Sequence, residues 1–384
     1  MKNLVYVTSC VALLTGLTAC DDMYSIHEKY LETPEKTYIG YPDISAARGG
    51  FERIELSWKL NQDPKIKQCC IYWNDKADSL IVPPDRTDTI MRQIIPLPEG
   101  SYVFEMINRD DLGNTSLTQV ISGRSYGENF KSSLVNMSVS SQEAKPDSIV
   151  LTWGLRENCI GTDFKYVNKN GEDKEVFLPG DQTNLVLKDY VPGGEFSYHS
   201  LYVPEVNAID TVAAEDETGL FVSYYSLTKE EWEEKYHANF EDLDRSSWTV
   251  SASSEELTGE GDVNGRANTI LDGDLNTFWH SQWQAVTAPL PHTLEIDMKE
   301  IQTISSIELA RRQSNKDTKT VRFSVSSDGN NWVEVATVVF PADTNPNSKV
   351  VMFPNKIKGR FLKLILPDSN KEPSASISEI YLTK

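Results

Sequence analysis

The sequence predicts an all-β protein built from three sandwich domains. Along Ile54–Leu60, apolar residues alternate with polar ones, which is the period of a strand with one buried face. A similar run recurs at Ile149–Trp153, so a strand-rich module is repeated. The chain has 384 residues, of which 39% are hydrophobic, and this length exceeds the usual size of a single compact core.

The N-terminal residues have the composition of an export signal. Lys2 precedes an apolar run from Leu4 to Leu17, which is too short and too interrupted to span a membrane comfortably. We therefore assign residues 1–19 to a signal peptide that is removed from the mature protein.

The end of this signal indicates how the mature chain is attached to a membrane. Leu17-Thr18-Ala19-Cys20 resembles the lipobox of bacterial lipoproteins, and the resemblance implies that Cys20 is lipidated. Asp21-Asp22 resembles the acidic tag that directs some lipoproteins to the cell surface, so we expect a lipid-anchored protein on the outer membrane. The alternative is an ordinary secretory signal whose cleavage leaves a soluble protein. Residues 20–37 are polar and aperiodic, which predicts a tether.

Two similar modules follow the tether. The strand pattern at 54–58 matches the one at 149–153, and the Pro/Gly turn with its following strand at 97–104 matches 191–198. Each module resembles a fibronectin type III-like sandwich with an early Trp. As a pair they resemble the DUF4998 family, and this resemblance implies no established activity. The modules are predicted to occupy residues 38–128 and 129–226.

A short helix is predicted between the repeats and the last domain. Thr228 and Glu231 have the spacing of a capping box, and Trp232–Tyr236 follows directly. We interpret residues 227–245 as a helical linker that acts as a spacer. A membrane-surface helix is the alternative, but the acidic residues of this stretch disfavour it.

A metal-binding loop is predicted near the start of the last domain. Gly273 permits a tight turn, so that the carboxylates of Asp272 and Asp274 and the hydroxyl of Thr277 can point inward together. Hard oxygen donors of this kind suit Ca²⁺ better than a soft metal. The alternative is an Asx turn in which these carboxylates bond only their own backbone.

Six motifs in order identify residues 246–384 as resembling the F5/8 type C, or discoidin-like, family. They are 267–279 (A-x-x-x-x-D-G-D-x-x-T-x-W), the strand 294–298, Arg312-Gln313, the turn 326–332, 359–364 and the closing 375–380. The resemblance implies an eight-stranded jelly-roll sandwich and a family that binds sugars, lipids or proteins. It also implies calcium ligands at Asp272, Asp274, Thr277 and Glu379, with main-chain oxygens near Asn268 and Ala375. We expect this calcium to be structural.

The loops beside this motif supply the candidate ligand contacts. Trp279 and Trp332 occupy positions that we predict to be core. A sugar site needs an aromatic plate and polar side chains that bond hydroxyl groups. His280 and Trp283, together with Arg311 and Arg312, are therefore the predicted ligand-binding residues, and the alternative for each is a surface or packing role.

Charge and motif content exclude several functions. The formal net charge of −20 disfavours nucleic acid, which requires a basic face. It also disfavours anionic lipid head groups, so membrane attachment should come from the acyl chains on Cys20. The sequence has no G-x-S-x-G and no H-E-x-x-H, and its best-placed acids are assigned to calcium. No enzymatic activity is expected.

Three functions are consistent with these observations. The leading one is a surface lipoprotein that binds glycan through its last domain, as an accessory to polysaccharide capture or uptake. The second is an adhesion or protein–protein module, whose partner could be a surface transporter complex. The third, an unrecognised hydrolase within the repeats, has the least support.

Overall fold

The computed structural model describes residues 36–384, and strands dominate it. The predicted signal peptide, the lipidation site at Cys20 and nearly all of the tether lie outside the described residues. Among the helices of the described residues, none has both the length and the apolar character needed to cross a membrane. The chain divides into two compact units: the first extends to Phe130 and includes Pro204–Thr211, and the second contains Lys131–Val203 and Val212–Lys384.

The first unit is a seven-stranded sandwich. A three-stranded sheet has the order β1-β2-β5, and a four-stranded sheet has the order β4-β3-β6-β7, which is the arrangement of a fibronectin type III-like domain. A short helix, α1 (Glu128–Ser133), follows. The strands are β1 (Asp43–Gly50), β2 (Arg53–Lys59), β3 (Gln68–Trp73), β4 (Asp78–Val82), β5 (Ile90–Pro96), β6 (Gly100–Arg109) and β7 (Gln119–Ser125).

Alternation along β2 builds the core of this sandwich, as the sequence predicts. Ile54, Leu56 and Trp58 are all buried and pack against Phe104 and Met106 of β6. Burial of each such side chain contributes about 1.5–3 kcal/mol relative to leaving it in water. The period-two pattern therefore determines which face of the sheet closes the sandwich.

The segment Pro204–Thr211 is held in this unit by polar contacts. Asp210 forms an ion pair with Arg53 and accepts a hydrogen bond from the Phe51 N–H at 2.9 Å. Glu205 accepts from the Gly49 N–H at 2.7 Å. Such charge-assisted bonds are stronger than neutral ones, so they fix a segment that joins two strands of the second sandwich.

The second sandwich repeats the topology of the first. Its three-stranded sheet has the order β12-β9-β8, and in its other sheet β10 pairs with β11 and β13, while β14 and β15 both pair with β13. Trp58 and Trp153 are buried at the end of the second strand of their respective sandwiches, which confirms the repeat. The strands are β8 (Val139–Lys145), β9 (Ser148–Trp153), β10 (Cys159–Val167), β11 (Asp173–Pro179), β12 (Asn184–Leu187), β13 (Glu195–Tyr202), β14 (Val212–Ala213) and β15 (Glu217–Leu220).

The terminal domain contains an eight-stranded sheet with the order β18-β23-β19-β22-β20-β21, in which β16 pairs with β22 and β17 with β19. This arrangement is the discoidin-like jelly roll that the sequence predicts. The elements are β16 (Tyr225–Thr228), α2 (Lys229–Lys235), a 3-10 turn (His237–Asn239), β17 (Thr249–Ala252), a 3-10 turn (Ala267–Leu271), β18 (Trp279–His280), β19 (His292–Arg311), β20 (Thr320–Ser326), β21 (Val333–Val339), β22 (Ser348–Leu366) and β23 (Ser376–Thr383).

The linker packs onto the terminal domain. The predicted capping box is present, because Thr228 and Glu231 exchange side-chain-to-backbone hydrogen bonds at 3.1 Å. Trp232 is buried together with Leu227 and Val350. Burial of this large indole is favourable, and it holds α2 against the terminal domain. The stretch that the sequence predicts as a spacer is therefore packed onto that domain.

Candidate functional site

The exposed indole of Trp283 is the centre of the candidate ligand site. Trp283 follows β18 and is 41% exposed, whereas Trp279 within β18 is fully buried in the core, as predicted. The Trp283 Nε1–H donates to Glu260 Oε1 at 3.2 Å. This bond fixes the orientation of a large apolar ring that remains open to solvent.

Arg312 completes this surface from the end of β19. Its Nη1 donates to Glu260 Oε1 at 3.4 Å, and its guanidinium carbon lies 3.9 Å from the centroid of the Phe278 ring. The stacked guanidinium is held in place while part of its edge stays accessible. We refer to Glu260, Phe278, Trp283 and Arg312 as the Trp283 cluster. It presents an aromatic face, a carboxylate and a cation within one small area.

Glu256 holds together the two loops that carry this cluster. Its Oε1 accepts from the N–H groups of Thr258 at 3.0 Å and Gly259 at 2.8 Å, and from the Thr258 hydroxyl at 2.9 Å. Its Oε2 accepts from the N–H groups of Trp283 and Gln284, each at 2.8 Å. Burial raises the pKa of Glu256, but these hydrogen bonds outweigh burial and hold the pKa well below its usual range. The carboxylate therefore stays ionised and fixes the backbone of both loops.

His280 lies beneath the cluster and not on its surface. The sequence predicts a side chain that projects from a loop, but His280 is part of β18, which pairs with Ser376 of β23 and draws the ring inside. Its Nδ1 is 2.7 Å from the Ser281 carbonyl oxygen, and its Nε2 is 3.6 Å from Asp317 Oδ2. The centroids of the His280 and Trp283 rings are 6.5 Å apart and the ring planes are inclined at 68°, so the buried His280 makes an edge contact with the exposed indole.

Arg311 also differs from the expectation of an exposed ligand contact, since it is only 1% exposed. Its Nη1 donates to the Pro341 carbonyl at 3.1 Å, and its Nη2 donates to the Asp343 carbonyl. Burial lowers the pKa of Arg311. Neighbouring residues on a strand point to opposite faces, which explains why Arg312 reaches the Trp283 cluster and Arg311 does not.

The predicted metal loop brings its oxygen atoms together. Gly273 adopts φ = +85°, the conformation for which Gly is favoured. The Thr277 hydroxyl lies 2.9 and 2.8 Å from the two carboxylate oxygens of Asp272 and 2.9 Å from the Asp274 carbonyl. The Asp274 carboxylate itself accepts from Asn276, both from its N–H and from its side-chain amide. Asn268 lies on the preceding 3-10 turn, Ala267–Leu271.

Glu379 connects this loop to the last strand. It is fully buried on β23 and accepts from the Gly273 N–H, while its Oε2 lies 2.7 Å from Arg245 Nη1. Burial raises the pKa of Glu379 to about 7, and the cation of Arg245 opposes this rise. Arg245 Nη1 also donates to the Ile380 carbonyl at 2.7 Å.

These donors fit a calcium ion in their chemistry, because they are carboxylate, hydroxyl and carbonyl oxygens. Within residues 36–384, no group of three or more His, Cys, Asp or Glu side chains is arranged to hold a metal, so an ion here would depend on carbonyl oxygens as well. The predicted contribution near Ala375 stays a prediction. Ala375 directly precedes β23, and its carbonyl accepts from the Ser281 N–H at 3.0 Å.

Three residues of the site escaped the sequence analysis. Glu256, Glu260 and Arg245 belong to no motif considered there, and each acts through contacts with residues distant in the chain. The only sequence signal for the loop that carries Glu256 and Glu260 is the run of acidic residues around Glu255–Glu260. Composition alone does not separate a buried carboxylate from a solvated one.

Comparison with known proteins finds two family models along the chain. The DUF4998 family model, described as a domain of unknown function, matches residues 20–212, just over half of the chain. The F5/8 type C domain model matches residues 249–380.

Each of the following relatives matches just over a third of this chain. A sialidase of Micromonospora viridifaciens is 29% identical over 143 residues, which are 36% of this chain and 21% of that protein. A galactose oxidase of Gibberella zeae is 31% identical over 144 residues, 36% of this chain and 20% of that protein. A family 32 carbohydrate-binding module from Clostridium perfringens NanJ, solved with galactose, is 24% identical, with a TM-score of 0.33, and the match covers 38% of this chain and 99% of that one. The chain spans about a fifth of the length of the curated relatives it matches.

Proposed function

This chain belongs to the DUF4998 family and ends in an F5/8 type C domain, and we propose that it captures carbohydrate through that domain without catalysing a reaction. The observation that carries the proposal is the Trp283 cluster. The exposed Trp283 ring can cover the apolar face of a sugar, while Arg312 and Glu260 can bond its hydroxyl groups.

The chemistry of the cluster favours a neutral sugar. Glu260 accepts hydrogen bonds from a hydroxyl and Arg312 donates them, so a pair of adjacent hydroxyls can bridge both groups. Hydrogen bonds to charged groups contribute about 1.5–3 kcal/mol each. The contact area of one ring is small, and a single site of this kind should bind weakly. Two relatives that match about a third of this chain are named a sialidase and a galactose oxidase, and these names support a carbohydrate ligand.

Calcium would act as a structural brace in this proposal. Asp272, Asp274 and Thr277 would hold the ion from the loop, and Glu379 would hold it from the last strand. When bound, the ion supplies fixed positive charge that draws these oxygens together. Gly273 and Arg245 already orient the Glu379 carboxylate from opposite sides, so the chain prepares one side of the site itself.

We also propose that this binding activity lies on the cell surface. We infer that Cys20 carries the lipid and that the mature protein is anchored on the outer membrane, where it would assist polysaccharide capture beside a transporter complex. This inference depends on the lipobox-like residues that precede Cys20. The DUF4998 region would then hold the sugar-binding domain away from the membrane.

A glycan array with the full chain tests the proposal. We expect retention of one class of sugar, and we expect Trp283→Ala to reduce it at least tenfold while the protein stays folded. Trp332→Ala is the matched control, because this half-buried Trp lies in the same domain at a distant turn and donates to the Gly329 carbonyl. A silent array with folded protein, or full retention by Trp283→Ala, would reject the sugar site and favour the adhesion or protein–protein alternative.

A further inference from the structure

A half-exposed aromatic ring lies on the outer face of the second sandwich. Phe177 of β11 is 49% exposed, whereas its neighbours Val176 and Leu178 pack against the core. Successive side chains of a strand point to opposite faces, so Phe177 belongs to the solvent face of the sheet formed by β10, β11, β13, β14 and β15. Its position leaves apolar surface open to a ligand.

Gly161 of β10 allows this ring to lie close to the sheet. A Cβ atom at Gly161 would lie 2.2 Å from the Phe177 Cζ and 2.4 Å from its Cε2, which is far too close for any other residue type. The ring therefore occupies the space that a side chain at position 161 would take. Its end is held beside the backbone of β10 before a ligand binds, so binding orders little more of it.

Polar side chains follow Phe177 across the same face. Phe177 pairs with Asp163 of β10, and Asp163 pairs with His199 of β13. Directly opposed residues have Cβ atoms about 4.5–5.5 Å apart, so the three side chains are neighbours. His199 Nε2 lies 3.4 Å from Asp163 Oδ2, and its Nδ1 lies 2.7 Å from Asp216 Oδ1. The Asp163 side chain is 26% exposed, and its Oδ1 has no partner among the described residues, so it can accept a bond from a hydroxyl group.

The next row of residues lines a cavity of about 620 Å³, a volume within the range of small-ligand sites. Lys165 pairs with Glu175 on one side and with Ser197 on the other, and Ser197 pairs with Thr218. Lys165 follows Asp163 by two positions, so the two rows share one face and lie about 7 Å apart. The cavity is therefore directly beside the row that contains the exposed ring.

The polar groups of this face suit an uncharged ligand. Lys165 Nζ lies 3.4 Å from Glu175 Oε1, and the residues that line the cavity include two Lys and three Asp or Glu, so an anionic ligand is disfavoured. The hydroxyl groups of Ser197 and Thr218 bond nothing else in the described part of the chain and can both donate and accept. An apolar ring beside free hydroxyl groups matches a neutral sugar, which has an apolar face and hydroxyl groups at its edge.

We propose that this face is a second carbohydrate-binding surface, on which one residue of a neutral polysaccharide stacks on Phe177 beside Asp163 and the next lies in the cavity beside Ser197 and Thr218. It extends the proposed function to another domain and rests on that function only for the class of ligand. Two weak sites in one chain raise the retention of a long polysaccharide, because the second contact forms at a high effective concentration.

Affinity electrophoresis of the full chain in gels that contain galactomannan, arabinogalactan or dextran tests this surface. Trp283→Ala serves as the starting variant, because it lacks the aromatic plate of the Trp283 cluster. We expect at least one of the three polysaccharides to retard it, and we expect the further change Phe177→Ala to weaken the apparent Kd by about tenfold or more. Val186→Ala is the matched control and should leave the Kd unchanged, since this exposed apolar residue lies on β12 of the opposite sheet.

Two milder changes separate the role of the ring from a role in folding. Phe177→Tyr keeps a flat ring and should keep the Kd of the starting variant. Phe177→Leu keeps an apolar side chain over Gly161 without a ring, and it should lose binding as Phe177→Ala does while its thermal unfolding stays unchanged. Binding that Phe177→Leu retains in full would overturn the stacking contact.

The outcomes for the two sites are distinguishable. If the unaltered chain is retarded and Trp283→Ala is not, the second surface is rejected and the Trp283 cluster stands. If Trp283→Ala is retarded as strongly as the unaltered chain and Phe177→Ala removes the retardation, the second surface is supported and the Trp283 cluster is rejected. Equal retardation of Trp283→Ala with and without Phe177→Ala, or no retardation of any chain, also overturns the second surface.

Discussion

Glu256→Ala should disrupt the sugar site although Glu256 lies beneath it. Both carboxylate oxygens are in use, and their donors come from the two loops that carry Glu260 and Trp283. Alanine removes both acceptor oxygens at once and leaves the backbone N–H groups of Thr258, Gly259, Trp283 and Gln284 without their acceptor. The loops would keep the bond from the Glu256 N–H to the His280 carbonyl at 3.0 Å and the bond from the Gln282 N–H to the Ser254 hydroxyl at 3.2 Å. They would lose the carboxylate that accepts from backbone N–H groups of both loops.

The size of the effect follows from the number of bonds. Hydrogen bonds to a charged group contribute about 1.5–3 kcal/mol each, and water can replace part of this loss at partly exposed N–H groups, so we expect the free energy of unfolding of the second unit to fall by about 4 kcal/mol. For a unit of this size, that loss corresponds to a melting temperature lower by roughly 10 °C. Sugar affinity should fall at least tenfold, because Trp283 and Glu260 are no longer held in register.

The pH dependence has a definite sign. The folded-state pKa of Glu256 is depressed, since its hydrogen bonds outweigh the effect of burial. Its contribution to stability is therefore fully present above the unfolded pKa of about 4.3 and is lost as the pH falls through the lower folded value. Sugar binding should be constant between about pH 7 and 5 and decline only in stronger acid. Glu256→Gln should remove this acid limb.

Urea unfolding followed by Trp fluorescence, combined with sugar binding across pH, measures both effects. Glu300→Ala is the matched control, because Glu300 is an exposed carboxylate on β19 of the same domain. If Glu256→Ala unfolds within about 1 kcal/mol of this control and keeps its sugar affinity, the carboxylate does not organise the loops and the reasoning is refuted.

Two further predictions concern the ion and the lipid. Adding Ca²⁺ to the metal-free full chain should raise its melting temperature, because a ligand of the native state alone stabilises it, and Glu379→Gln should abolish this rise; calorimetry that shows no rise for the unaltered chain would reject the calcium assignment. Cys20→Ser should abolish labelling of the expressed protein by a fatty-acid analogue and release it from the membrane fraction; labelling that persists in the variant would contradict lipidation at this residue.

The sequence was sufficient for the parts of the fold that depend on period and order. Ile54, Leu56 and Trp58 are buried as their alternation predicts, because every second side chain of a strand points to the same face and these three share the face that packs on the core. The capping box at Thr228 and Glu231 is equally local, since it involves two side chains one helical turn apart. Both kinds of signal are contained in a few neighbouring residues.

The arrangement of the site depends on contacts that no local pattern contains. His280 is buried because β18 pairs with a strand almost a hundred positions later, and that pairing is set by the closure of the jelly roll. Likewise, the sequence offers two adjacent arginines, and only the way in which β19 ends decides that Arg312 faces the Trp283 cluster. Glu260 joins them from a third segment. These three segments meet only through tertiary packing, and no periodic pattern in the sequence predicts that they do.

The rigidity of the site has a consequence for how the protein would work. The backbone around Trp283 is fixed by Glu256, the ring is oriented by Glu260, and the buried His280 makes an edge contact with it. A sugar that binds there therefore orders few additional side chains, and its affinity is limited by contact area more than by the entropy of closing loops. Weak but preorganised sites gain most from repetition. Many copies on one surface would convert brief single contacts into lasting retention of a long polysaccharide.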